Sequence, residues 1–317
     1  MFDTDLVAPL RPPLWGRGGH AQTLLAHLLS RTQNLQHLKS NNELIDLQDG
    51  DHLSVAVTHG STQLCVYLFH GLSGSADSDY MVNAQAELSQ DGHTVVRVNH
   101  RGCGQGLGLA RQPYHSGRGD DVSAVIEWGR KRWPAKKHVA IGFSLSGNAL
   151  LCLLTGIRGV CLPDAAITIN APIDLALTAQ RLRRGLNNLY DTRFVLRLRK
   201  AVKDRASIPM WVSLERFDDL YTAPAGNFKD RFDYYDSCST QNHLQKIGVP
   251  TLILTSGDDP IVPVSCYQNV KVSSFARLRI EASGGHMGYL DSQAFAQGRD
   301  WLAQAIRSWV RSAESCL

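Results

Sequence analysis

The chain begins without a basic segment and without a long apolar run. Met1-Phe2-Asp3-Thr4-Asp5 carries acids where a secretory signal carries cations, and Pro12-Pro13 comes before any apolar stretch. Neither a signal peptide nor a membrane span is readable, so the expectation is a soluble, cytoplasmic protein. Zinc-finger spacings, a P-loop and a dinucleotide fingerprint are also missing, and with them the usual signs of a metal or a nucleotide cofactor. Net charge is small, +4 from 33 basic and 29 acidic residues, which gives no case for a nucleic-acid partner. The seven cysteines, Cys65, Cys103, Cys152, Cys161, Cys238, Cys266 and Cys316, are odd in number and scattered through mostly apolar runs. That pattern fits reduced thiols, not a disulfide framework.

What the chain does have is a hydrophobic fraction of 43% over 317 residues, ample for a large buried sheet around one core. Its sharpest signal is Gly142-Phe143-Ser144-Leu145-Ser146-Gly147, set between the apolar run His138 to Ile141 and the helix-favouring Asn148 to Leu154. Strand, sharp turn and helix with a serine at the apex is the context of a nucleophile elbow. Small flanking residues let strand and helix approach while a strained turn pushes the hydroxyl out of the sheet.

A serine hydroxyl needs a base, and the base needs an orienting acid. Pro250 to Thr255 reads as a buried strand running into Ser256-Gly257-Asp258-Asp259-Pro260-Ile261-Val262-Pro263. Arg277 to Ile280 reads as a last strand, followed by Ser283-Gly284-Gly285-His286-Met287-Gly288. Ser144, then Asp259, then His286 is the chain order of one of the three common triads. Asp258 competes with Asp259, but the latter stands directly before Pro260-Ile261-Val262-Pro263, the usual spacing for the acid. Leu64 to Phe69 is a continuous apolar strand ending in His70-Gly71-Leu72-Ser73-Gly74. The backbone N–H groups of Leu72, in that loop, and of Leu145, after the nucleophile, are the expected oxyanion donors.

Several stretches together resemble the YheT-like branch of the α/β-hydrolases, relatives of mammalian lipid-ester hydrolases that carry an N-terminal membrane anchor. They are Gly19-His20-Ala21-Gln22-Thr23, Phe69 to Ser75, Asn99-His100-Arg101-Gly102-Cys103, Tyr114-His115-Ser116-Gly117, Gly142 to Asn148, Phe217-Asp218-Asp219, Asp258-Asp259-Pro260 and Gly284-Gly285-His286. They span nearly the whole chain. The resemblance implies an α/β-hydrolase fold and carboxylic ester hydrolysis with a general substrate label. One departure stands out: the branch has a second glycine two residues after the nucleophile, where this chain has Ser146. A small residue fits there, and reverting it to glycine is expected to be nearly silent.

Strands alternate with helices from about residue 64 to 172, which implies a mostly parallel sheet covered on both faces. Before it, Glu43 to Leu47 and Leu53 to Val57 read as a hairpin turning at Asp49-Gly50. Residues 1–40 are expected to form an N-terminal arm with a helix over Gln22 to Leu29, packed on a core of 41–172 and 241–317. Residues 173–240 lose the strand alternation and read as an inserted helical cap. Within them Phe194, Leu198, Ala201 and Val202 fall at helical spacing, with Arg193, Arg197, Lys200 and Lys203 on another face. A solvated outer face outweighs a membrane-touching one for so modest a basic patch. His20, His100 and His115 are expected to hold loops, since His286 is already the base. The His115 to Asp120 spacing is one associated with acyltransferases, but in a chain with 12 histidines it is close to chance.

The expected activity is cleavage of small-molecule or lipid esters by a Ser-His-Asp acyl-enzyme mechanism without metal or cofactor. The same residues would serve an acyltransferase or thioesterase, and a ligand-binding protein on a hydrolase scaffold is the rival from a different class.

Overall fold

In the computed structural model, which describes residues 2–29 and 39–314, the strands are β1 (Asn41–Asp46), β2 (His52–Thr58), β3 (Leu64–Phe69), β4 (Thr94–Asn99), β5 (Lys137–Phe143), β6 (Ala165–Ile169), β7 (Thr251–Ser256) and β8 (Ala276–Glu281). They form one sheet in the order β1-β2-β4-β3-β5-β6-β7-β8. The hairpin β1–β2 and the β2–β4 pair are antiparallel, and every later pair is parallel. Every residue of β3, β4, β6 and β7 is buried, which is why Leu64 to Phe69 reads as a continuous apolar run and the other three lack a polar face. The edges differ: β1 carries Asn41, Asn42 and Asp46, and β8 carries Arg277 and Arg279. Charged and polar side chains there discourage further strand pairing.

The helices are α1 (Gly19–Leu29), α2 (Asp79–Gln90), α3 (Gly119–Arg132), α4 (Leu145–Leu154), α5 (Leu175–Leu182), α6 (Asn188–Val202), α7 (Leu214–Phe217), α8 (Ala223–Ala225), α9 (Arg231–Cys238), α10 (Ser292–Ala296) and α11 (Trp301–Glu314). Alternation along β3 divides the core. Leu64, Val66 and Leu68 pack with Met81 and Leu88 of α2 and with Ile306 and Trp309 of α11. Cys65, Tyr67 and Phe69 pack with Val122 and Ile126 of α3 and Leu150 of α4. Opposite faces of one strand thus serve two cores, as a period of two demands.

The hairpin turn is tied to α3 by Arg101. Its guanidinium donates to Asp121 at 2.7 and 2.6 Å, to Asp51 at 2.6 Å and to Asp49 at 2.7 Å. Burial of Arg101 is offset by these three carboxylates, which hold it protonated. This arginine of the Asn99-His100-Arg101-Gly102 stretch is therefore structural.

Between β6 and β7 the chain runs through α5 to α9. In α6, Val202 is buried and Phe194 and Leu198 are half-buried, whereas Ala201 is exposed at the last turn and does not join the apolar stripe expected of it. Arg193, Arg197, Lys200 and Lys203 are exposed. Cys65, Cys103, Cys152, Cys161, Cys238 and Cys266 are free thiols, and Cys316 lies outside the described residues. So do residues 30–38 of the expected N-terminal arm. Among the described residues, no helix is long and apolar enough to cross a membrane.

Candidate active site

Ser144 stands between the last residue of β5 and the first of α4 with φ 53° and ψ −120°. A β-carbon in that conformation is strained, by on the order of 1–3 kcal/mol. The turn is held by close approach on both sides: a Cβ on Gly142 would lie 2.6 Å from the Ser146 carbonyl oxygen, and one on Gly147 2.9 Å from Ala171 Cβ. The Ser144 N–H is anchored to the Ile169 carbonyl at the end of β6, 2.7 Å away.

The structure brings Ser144, His286 and Asp259 into one line. Ser144 Oγ lies 2.8 Å from His286 Nε2, and His286 Nδ1 lies 2.8 Å from Asp259 Oδ2. A carboxylate can only accept, so the proton of a neutral ring sits on Nδ1 and the Nε2 lone pair faces the serine. Asp259 is itself fixed by the backbone N–H groups of Ile261 (2.8 Å) and Val262 (2.9 Å) and by Asn170 Nδ2 (2.8 Å). Asp258 points elsewhere. It accepts from the Gly285 N–H and the Ser283 hydroxyl, both at 2.8 Å, and so clips the turn after β7 to the loop bearing His286.

That loop is pressed against α1. A Cβ on Gly285, whose φ is 55°, would lie 2.5 Å from the Gly19 carbonyl, and one on Gly288 2.2 Å from the Gln22 carbonyl. Thr23 Oγ1 accepts from the His286 N–H, and the fully buried Gln22 holds Leu290 through both its amide oxygen and its amide nitrogen. The Gly19 to Thr23 stretch is thus a support for the histidine loop. His20, in the same helix, stacks on Tyr190 and shares a hydrogen bond with its hydroxyl.

The loop after β3 reaches the serine from the other side. A Cβ on Gly71 would stand 3.0 Å from Ser144 Cβ and 3.6 Å from its Oγ, a tighter contact than a side chain ordinarily makes, so glycine eases the loop's approach. The Gly71 N–H donates to Tyr80 OH at 2.9 Å. Leu72 and Leu145 line, with Ser144, a cavity of about 60 Å³ whose other walls include Leu175, Ala179, Leu182 and Leu214. On its other side Ser144 opens into a wider groove of about 520 Å³ bordered by Tyr80, Tyr190, Arg193 and Trp301.

Asn170 and Tyr80 lie in no stretch that would single them out, and Thr23 ends the Gly19 to Thr23 stretch without a sequence signal for its bond to the His286 N–H. Ser146 does more than fit at the elbow. Its hydroxyl is fully buried and lies 2.6 Å from His100 Nε2 and 2.8 Å from Tyr114 OH while donating to the His70 carbonyl. A group with three polar partners is not an accommodated spare methyl. His115 holds its own turn by accepting from the Gly117 N–H, packed against Phe228 and Tyr234, whereas Asp120 is exposed. Among the described residues, no group of three or more His, Cys, Asp and Glu side chains is placed to hold a metal ion.

Comparison with known proteins agrees with this geometry. The chain is 29% identical to YheT of Escherichia coli (strain K12) over 94% of its own length and 92% of that protein's. It is 27% identical to phospholipase ABHD3 of Mus musculus, over 88% of this chain and 73% of that one. Among solved structures, the Pyrococcus furiosus esterase Pf2001 superposes with a TM-score of 0.58 at 18% identity, covering 86% of this chain and 94% of that one, a likeness of fold. The resemblance to the YheT-like branch is thereby borne out. Because the alpha/beta hydrolase family model matches residues 66–298, most of the chain and all of the elbow, the acid and the histidine, this protein belongs to the alpha/beta hydrolase family.

Proposed function

We propose that the protein is a serine hydrolase of carboxylic esters that works through an acyl-enzyme on Ser144. The observation that carries this reading is the Ser144–His286–Asp259 line, 2.8 Å at each step, at the apex of a strained elbow that opens on two cavities. His286 Nε2 accepts the serine proton as Oγ attacks the ester carbonyl, and Asp259 stabilises the imidazolium that forms. The Leu72 and Leu145 amides receive the oxyanion. His286 returns the proton to the leaving alcohol, and water activated by the same ring releases the acid.

Two further features support it. The name phospholipase carried by the similar mouse protein agrees with ester cleavage. The small, apolar cavity among Leu175, Ala179, Leu182 and Leu214 suits an acyl chain, and the wider groove suits the alcohol portion. Residues 173–240 then act as the cap over the site.

The test is labelling with a fluorophosphonate, which requires an activated serine, together with a chain-length series of p-nitrophenyl esters. Wild-type protein is expected to label and to hydrolyse short esters, and Ser144→Ala to do neither while keeping its fold. Full activity in Ser144→Ala, or no labelling of folded wild type, would sink the reading.

A further inference from the structure

Behind the loop that carries Leu72 lies a buried polar cluster whose hydrogen atoms can be placed from its contacts. The His100 backbone N–H donates to His70 Nε2 at 3.2 Å, so that nitrogen is an acceptor. Burial pushes His70 down to about 4 and His100 well below its ordinary value, so both rings are neutral near pH 7. The single ring proton of His70 therefore sits on Nδ1, where it donates to the Gly71 carbonyl at 2.8 Å. Gly71 C=O and Leu72 N–H belong to one planar trans peptide and point in opposite directions. Holding the carbonyl against the His70 ring turns the Leu72 N–H outward, away from that ring.

Ser146 secures the next peptide back. Its hydroxyl donates to the His70 carbonyl, and the one proton of Tyr114 OH is shared between that carbonyl at 3.1 Å and Ser146 Oγ at 2.8 Å. With its own proton so used, Ser146 Oγ accepts from His100 Nε2–H at 2.6 Å. His100 Nδ1, the bare nitrogen of that tautomer, has no partner among the described residues. The Tyr114 ring lies flat on the His100 ring, centroids 4.0 Å apart and planes within 3°. Ser146 sits in the first turn of α4, two residues after Ser144 and next to Leu145, so one hydroxyl joins the elbow to the root of the Gly71–Leu72 turn.

We propose that Ser146, braced by His100 and Tyr114, is a positioning residue that sets the Leu72 amide in register with the Leu145 amide and Ser144. The proposal rests on the ester-hydrolase reading above, because it concerns where the oxyanion donors stand. It goes beyond that reading in giving a working part to the position where this chain departs from glycine. A merely structural role would change stability. A positioning role changes the binding of the charged tetrahedral species relative to the substrate.

The experiment measures kcat and KM for a p-nitrophenyl ester, Ki for a trifluoromethyl ketone that forms a tetrahedral adduct, and Tm, in wild type, Ser146→Ala, Ser146→Gly and Tyr114→Phe. Both Ser146 variants are expected to lose about ten- to thirtyfold in kcat with KM within about twofold, below the hundredfold typical of deleting a donor outright. Ki for the ketone should rise by the same factor, and Tyr114→Phe should move both by about threefold. Wild-type kcat and Ki in the Ser146 variants overturn the proposal, as does a loss of kcat that follows Tm with Ki unchanged. Should the Ser146 variants fail to fold, Tyr114→Phe decides, and an unchanged Ki there overturns it. Failure of the hydrolase reading is a different result: folded wild-type protein that neither labels nor turns over.

Discussion

Thr23 Oγ1 accepts a hydrogen bond from the His286 backbone N–H at 2.9 Å across 263 residues of sequence, and donates in turn to the Gly19 carbonyl at 2.7 Å. Removing the hydroxyl leaves a part-buried N–H unpaired, a cost of about 1–3 kcal/mol. Thr23→Ala is therefore expected to lower thermal stability and to reduce kcat/KM several-fold, because His286 loses a fixed point beside the serine. Thr23→Ser keeps the oxygen and should recover most of both. Melting curves and steady-state kinetics on the two variants check this, and equal losses in both would show that the Thr23 methyl matters and the hydroxyl does not.

The strain at Ser144 has a measurable counterpart in stability. With φ at 53° and ψ at −120°, any β-carbon is disfavoured and glycine is not. Ser144→Gly should be more stable than Ser144→Ala by roughly 1 kcal/mol, offset in part by glycine's greater freedom in the unfolded chain. Both variants should be inactive. Urea unfolding of the pair, with m-values compared, tests the ranking.

The two adjacent acids have separate partners, and their variants should separate too. Asp259→Asn replaces the acceptor facing His286 Nδ1 with a group that can present an amide, and the wrong ring tautomer cost about ten-thousandfold in the serine-protease example. Asp258→Asn disturbs only the clip to Ser283 and the Gly285 N–H, and should cost tenfold or less in kcat. The opposite ranking would exchange the two assignments.

A pH dependence of stability follows from Asp218. Burial pushes this carboxyl from its ordinary 3.8 up to about 7, against the opposing hydrogen bonds of Thr222 and of Tyr235 OH, the latter at 2.7 Å. Its folded-state value is raised, so between about pH 4 and 7 the folded chain holds a proton that the unfolded chain has released. Stability from this group is thus lost as pH rises through that window, at up to about 1.4 kcal/mol per pH unit. Asp218→Asn keeps a partner for Tyr235 without the charge. Its Tm relative to wild type should rise from pH 4.5 to pH 8, and a difference that stays flat would show that Asp218 does not titrate there.

Much of this was legible in the sequence because it is written in local pattern. Leu64 to Phe69 was readable to the residue, since it is an unbroken apolar run in a strand buried on both faces. Ser144 and Asp259 were readable because each sits just past a strand whose apolar run marks it, and His286 because Leu278 and Ile280 alternate with Arg277 and Arg279 in the strand before it. The start of α3 at Gly119, three residues before the apolar Val122, was not, because Asp120 and Asp121 occupy its first turn and carry no apolar periodicity. Thr23, Asn170 and Ser146 were missed as partners for a different reason. Their bonds to His286, Asp259 and His70 span 263, 89 and 76 residues, and nothing in local composition records which distant polar atom a buried hydroxyl or amide will meet.

The packing of α1 on the loop around His286 also bears on the order of events in folding. Ser144 and the strands around it come from the middle of the chain, but its proton acceptor is seated only when a helix from the first thirty residues meets a loop from the last thirty-five. Contacts of such long separation close late, after the local ones have formed. A chain still being made thus carries its strained serine without the group that would activate it. On the proposed mechanism the hydroxyl gains its proton acceptor only when that late loop is seated, with the early helix bracing it there.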